Sequence, residues 1–165
     1  MRPSKVILIC CAALIAGCNY FRQPGPDEPH ATIVAKPGPN EFMSGGSQIY
    51  MAYFDAKCQN TGETGVLGNL SYSNPDKNRF TTPAGKRVYL YALSQGIRER
   101  ESVDQPITAR SCWSISSFIP VVGATYQATH SAPRYGCALE LIDQKTGIAP
   151  PSLIVEQPSY ECRQR

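Results

Sequence analysis

The sequence predicts an all-β fold, a single antiparallel β-sandwich of immunoglobulin-like or similar topology with two disulfides. Three observations predict it. Short runs rich in Tyr, Val and Ile recur at fairly regular spacing and are separated by turn clusters. Fourteen prolines and thirteen glycines in 165 residues mark many turns and short elements. Cys58, Cys112, Cys137 and Cys162 all fall within the alternating region, and an even number of cysteines is how small exported domains are stapled. The length suits one core rather than two. With 18% charged and 42% hydrophobic residues, a disordered charged tail and a polytopic membrane protein are both excluded.

The elements follow in order. Ala31–Ala35 (ATIVA) is the first strand, and Lys36-Pro37-Gly38-Pro39 breaks it. Gln48–Ala56 (QIYMAYFDA) is the most apolar run and predicts a central strand buried on both faces. Val66–Tyr72 forms a short strand between two polar turn clusters. Arg87–Leu93 (RVYLYAL) places Val88, Leu90 and Ala92 on one face and Tyr89, Tyr91 and Leu93 on the other. Further strands are expected over 112–119, 124–130, 137–142 and 152–156. The Arg98-Glu99-Arg100-Glu101 stretch reads as a solvated strand edge or loop. Two segments, Thr82–Tyr89 and Ile119–Tyr126, share the order Pro, Gly, aromatic-containing strand. In both, proline ends one strand and glycine supplies the turn entering the next.

The amino-terminal residues read differently. Arg2 and Lys5 precede Val6–Ala16 (VILICCAALIA), eleven uninterrupted apolar residues. As a helix this run rises about 16 Å, half of what a bilayer core requires, and matches the apolar region of a signal peptide. It ends in Ile15-Ala16-Gly17-Cys18, which resembles the lipobox of bacterial lipoproteins. That resemblance implies cleavage after residue 17, a diacylglycerol thioether and an acylated amine on Cys18. It also implies an outer-membrane location facing the periplasm, because Asn19 stands where an aspartate would retain the protein on the inner membrane. The expected organisation is a signal peptide over 1–17, a lipidated cysteine with a proline-rich tether over 18–29, and a β-sandwich over 30–165. A proline-stiffened tether of that length would hold the domain about 30 Å from the lipid. Removing residues 1–17 takes Arg2 and Lys5 away, leaving 14 basic of the original 16 against 13 acidic residues. A near-neutral surface argues against a nucleic-acid partner.

With Cys10 and Cys11 in the signal peptide and Cys18 acylated, the remaining four cysteines allow three connectivities. The preferred pairing is Cys112–Cys137 with Cys58–Cys162: the first closes a compact unit of two or three strands, the second fastens the carboxyl-terminal segment to the body. Their spacing matches no zinc pattern, and no close pair suggests redox chemistry. Cys112, Phe118-Ile119-Pro120, Gly123, Tyr126 and Cys137 resemble a pattern in small exported β-sandwich lipoproteins. The likeness supports the Cys112–Cys137 bond and the sandwich, and implies no activity.

No cofactor, metal site or catalytic residue is expected. His30 and His130 are the only histidines. A hydrolase built on His130 with Ser131 and Asp143 lacks the nucleophile elbow such chemistry uses. Glu140 and Asp143 are three apart on a strand and point to opposite faces. If Val88, Leu90 and Ala92 face inward, Tyr89 and Tyr91 form an exposed aromatic ladder, the candidate contact surface. The expected function is therefore a membrane-anchored, non-enzymatic periplasmic lipoprotein, bound to the membrane through Cys18 and to an envelope protein. Two alternatives stand beside it. One is an inhibitor or immunity lipoprotein acting on a cell-wall-degrading enzyme, inserting the Ala128–Gly136 loop. The other is a hydrolase using His130.

Overall fold

Burial alternates with a period of two along most strands, as a pleated sheet with one face on a core requires. The first strand buries Ala31, Ile33 and Ala35 and leaves Thr32 and Val34 partly covered. The computed structural model describes residues 20–38, 42–59, 62–70, 75–99, 104, 106–132, 136–157 and 159–163. Among them are β1 (His30–Pro37), β2 (Phe42–Tyr53), β3 (Gly65–Asn69), β4 (Arg79–Pro83), β5 (Val88–Glu99), β6 (Thr108–Phe118), β7 (Thr125–Ser131), β8 (Ala138–Asp143) and β9 (Ile154–Glu156). One four-residue helix, α1 (Tyr160–Arg163), follows.

The strands make two packed sheets, one in the order β4-β1-β7-β8 and the other β3-β2-β5-β6-β9. The all-β sandwich and both expected disulfides, Cys58–Cys162 and Cys112–Cys137, are present. One pairing departs from the antiparallel expectation, since β1 and β7 run parallel. Strand β4 was not anticipated: Arg-Phe-Thr-Thr-Pro is short, and only Phe80 and Thr82 turn inward. As expected, β2 is buried on both faces. Tyr50 and Ala52 enter the core between the sheets, while Met51 and Tyr53 join a second cluster on the outer face with Tyr91, Ile115, Cys58 and Cys162. Strand β5 runs on to Glu99 by way of a bulge between Ser94 and Ile97. Gly96 makes that bulge with φ of +69°, and a Cβ there would lie 2.8 Å from the Gly46 Cα of β2.

The segment expected as a tether is part of the domain. Tyr20 bridges to Val66, and the Phe21 and Arg22 amides donate to the carbonyls of Val66 and Glu63 at 2.9 and 3.0 Å. Phe21 is 5% exposed and packs in the main core beside Phe54. Gln23 accepts from the Thr81 amide at 2.8 Å, and Pro29 from the Ala84 amide at 3.0 Å. A large aromatic side chain offered a hydrophobic site outweighs the proline-rich composition, so the domain includes residues from Tyr20 rather than starting at His30.

The register defines two ends. At the entry end, His30 opens β1, β2 closes at Tyr53, β5 opens at Val88 and β6 closes at Phe118. The two Pro–Gly turns meet there. Gly85 and Gly123 have φ of +78° and +72°, and their amides donate to the Pro120 and His30 carbonyls, both at 2.8 Å. At the far end β1 and β7 close, and β6 and β8 open.

Candidate functional site

The interior changes character along every long strand. From the entry end to the far end, the inward residues run Val88, Leu90, Ala92, Ser94 on β5 and Ala52, Tyr50, Gln48 on β2. On β7 they run Tyr126, Ala128, His130, and on β6 Phe118, Ser116, Ser114, Cys112. Apart from the buried hydroxyls of Thr82 and Ser116, the entry-end half is therefore apolar, and the far-end half is polar.

Polar groups between two sheets need partners, and those around His130 supply one another, whereas the buried Ser116 and Thr82 hydroxyls have none. The Tyr50 hydroxyl donates to Gln48 Oε1 at 3.2 Å. Gln48 Nε2 donates to Ser94 Oγ at 2.8 Å and to the His130 carbonyl at 3.0 Å. Ser94 Oγ stands 2.8 Å from His130 Nδ1, and Ser114 Oγ stands 3.2 Å from its Nε2. A neutral imidazole has one donor and one acceptor nitrogen, which two hydroxyls satisfy in either tautomer. Burial lowers the His130 pKa to about 4, because an imidazolium would have to be desolvated.

His130 is thus an interior strut, and the hydrolase constellation does not assemble. Ser131 is the next residue on the same strand and turns to the other face. Asp143 pairs with Tyr126 at the opposite end of β7, and its Oδ1 accepts the Lys145 amide at 2.8 Å. Four residues of strand separate Tyr126 from His130, roughly 13 Å. His30 sits with Nδ1 2.7 Å from the Glu28 carbonyl oxygen. The expected inserting loop is corrected as well, because Ala128–Ser131 belongs to β7; Pro133–Tyr135 and Cys18 lie outside the described residues.

The aromatic ladder is also corrected. Val88, Leu90 and Ala92 do face inward, but the opposite face is covered: Tyr91 is 4% exposed and Tyr89 is packed against the same outer cluster. The loop after β2 and helix α1, joined by Cys58–Cys162, lie on this side and account for the burial.

A cleft of about 510 Å³ opens instead between β6 and β8. Strand β8 is the last of its sheet, and β9 covers β6 only over Ile115–Ser117. Trp113, Ile115, Leu139 and Val155 supply apolar lining, and the Cys112–Cys137 disulfide closes one wall. The two sulfurs and a His130 ring nitrogen lie within 4.8 Å of one another. Metal ligation takes thiolates; sulfurs bonded to each other have none to offer, and their bond ties β6 to the start of β8.

A second surface lies at the entry end. Val121 and Val122 on the β6–β7 turn are 63% and 66% exposed, and Ile148 on the β8–β9 connection is 64% exposed. A hollow of about 140 Å³ runs between these two connections. The cleft and this apolar end were both missed in the sequence. Their signals were polar residues at inward strand positions (Gln48, Ser94, Ser114) and paired aliphatics in a turn (Val121-Val122). The chain matches no family model, no curated protein and no solved structure, so its own geometry must carry a functional reading.

Proposed function

We propose that this chain is an exported envelope protein, anchored through acyl chains on Cys18 and facing the periplasm from the outer membrane. Its sandwich acts by binding a protein partner rather than by catalysis. The observation that carries the binding role is the cleft beside β6, with its apolar lining of Trp113, Ile115, Leu139 and Val155. An extended segment of a partner can lie in such a groove, alongside a strand that β9 pairs over only three residues. Trp113 and Val155 would give side-chain pockets beside that strand. The disulfide holds one wall of the cleft in place against the second sheet, so little ordering is left to oppose association. Supporting the anchor are the lipobox-like run into Cys18 and four paired cysteines suited to an oxidising compartment.

The test is in-cell crosslinking of the acylated chain, followed by affinity capture, with Val155→Arg as the cleft variant. Val155 is 76% exposed, so the substitution leaves the core alone. A stoichiometric partner lost in Val155→Arg, together with slower amide exchange over 108–114 in the purified complex, is the expected result. The same partner captured equally by both forms, with no added protection on β6, overturns the cleft reading. Capture of a murein hydrolase with loss of its activity would identify the inhibitor form of the same binding role.

A further inference from the structure

We infer that the entry end of the sandwich rests on the surface of the bilayer that holds Cys18. The inference depends on the anchored reading above and adds the face, the orientation and the distance.

Covalent reach sets the distance. Tyr20 is two residues beyond Cys18, and two residues of fully extended chain span at most about 7 Å. A headgroup layer is itself roughly 5–8 Å thick. Tyr20 and the two residues after it are bound to Val66 and Glu63, and Phe21 is locked in the core. No free chain is therefore left to act as a spacer, and an acylated Cys18 draws this end of the domain to headgroup level.

The chemistry of the end fits that position. Among the described residues, the exposed large hydrophobics are Tyr20, Ile119, Val121, Val122, Ile148, Ile154, Val155 and Tyr160. Val155 lines the cleft, and Ile154 precedes it on β9 opposite Ser117. The rest gather at the entry end: Ile119, Val121 and Val122 on the turn, Ile148 beside them, and Tyr20 where the chain enters. Tyr160 is on the helix that Cys162 fastens to Cys58. Aliphatic turn tips and exposed tyrosines at one end suit the headgroup boundary, where amphipathic rings prefer to sit. Charge does not dominate the attraction, because Lys86 and Lys145 share this end with Asp27, Glu28 and Glu63. Apolar insertion alone is too slight to anchor a domain; coupled to the acyl chains it orients one.

The experiment uses purified acylated protein in vesicles of phosphatidylethanolamine and phosphatidylglycerol. A fluorophore is placed singly at Val121→Cys, Ile148→Cys or, at the far end, Lys77→Cys, and each form is sedimented with the vesicles before quenching. The expected result is several-fold shielding of the first two sites from a water-soluble quencher and their quenching by a lipid-borne one, with Lys77 behaving oppositely. In a Val121→Asp, Val122→Asp form, shielding at Ile148 should fall while sedimentation persists. Equal quenching of Val121 and Lys77 by the aqueous agent in a form that still sediments overturns the inference and leaves the anchor standing. Shielding at Val121 without lipid-borne quenching also overturns it, and assigns the face to a protein or a second copy. Protein that stays in the supernatant removes the anchor itself.

Discussion

The two ends of this sandwich are built from the same strands and behave as different materials. At the entry end the interior is Val88, Leu90, Ile33, Phe118 and Tyr126, and the exterior turn tips are aliphatic. At the far end the interior carries Gln48, Ser94, Ser114 and His130, and the exterior opens as a cleft. Each end has one disulfide: Cys58–Cys162 lies by the loop after β2, and Cys112–Cys137 joins β6 to β8. The difference teaches how a small domain divides its work. Apolar packing and the chain entry fix one end, while hydrogen bonds and a covalent bridge fix the other beside the cleft.

Separate removal of the two bridges compares the ends most strongly. Their sequence separations are 104 and 25 residues. On the chain-entropy account, Cys58→Ala with Cys162→Ala costs about 5 kcal/mol, and Cys112→Ala with Cys137→Ala about 3.5 kcal/mol. Urea unfolding of the two double variants should rank them in that order. The reverse order would mean that the far end depends on its bridge for more than loop closure. Loss of cleft-dependent partner capture in the second variant alone would sharpen the division.

Acidification probes the far end next. Burial lowers the His130 pKa from the ordinary imidazole value of 6.5 to about 4. Between those values the unfolded chain binds a proton that the folded chain refuses, so stability rises with pH across the window. Unfolding free energy should therefore be fully retained above about pH 6.5, decline as pH falls toward 4, and gain no further loss from this group below that. The whole change is on the order of 3 kcal/mol. His130→Gln should flatten that part of the profile. A profile that keeps its slope in the variant would place the acid sensitivity elsewhere.

Thr82 distinguishes the ends by sign. It is fully buried near the entry end and its hydroxyl has no partner, unlike the satisfied serines around His130. Thr82→Val should stabilise by up to about 1 kcal/mol, since it removes an unpaired buried hydroxyl at nearly constant volume. Ser94→Val should destabilise, because Gln48 and His130 lose their common partner. Both shifts are measurable by thermal or urea unfolding, and equal signs would erase the proposed gradient. The smallest effect belongs to the turn tip: Val121→Asp should change stability in solution by less than about 0.5 kcal/mol, as an exposed position does.

Much of the fold was legible because it is written locally. Alternation of Val88, Leu90 and Ala92 with Tyr89 and Tyr91 gave strand and face, and Pro83–Gly85 and Pro120–Gly123 gave the turns. The disulfide pairing preferred from the chain is the one formed. What escaped depends on long-range contacts. Tyr91 is covered because a remote disulfide holds the carboxyl-terminal helix beside the sheet, and no periodicity encodes that. Phe21 lies in a stretch of prolines and charges whose composition predicts a free linker; only the pocket beside Phe54 draws it in. The His130 cluster needed residues from β2, β5, β6 and β7 to meet. The cleft exists because β9 is only three residues long, a boundary that a short apolar run leaves undefined.

The most direct test of the division between ends is paired photocrosslinking in living cells, with a photoreactive amino acid at Val121 in one strain and at Trp113 in another. Lipid adducts from Val121 and a discrete protein adduct from Trp113 are predicted. Protein adducts of the same mass from both positions, or lipid adducts at Trp113, would contradict a sandwich that stands on the membrane at one end and binds its partner at the other.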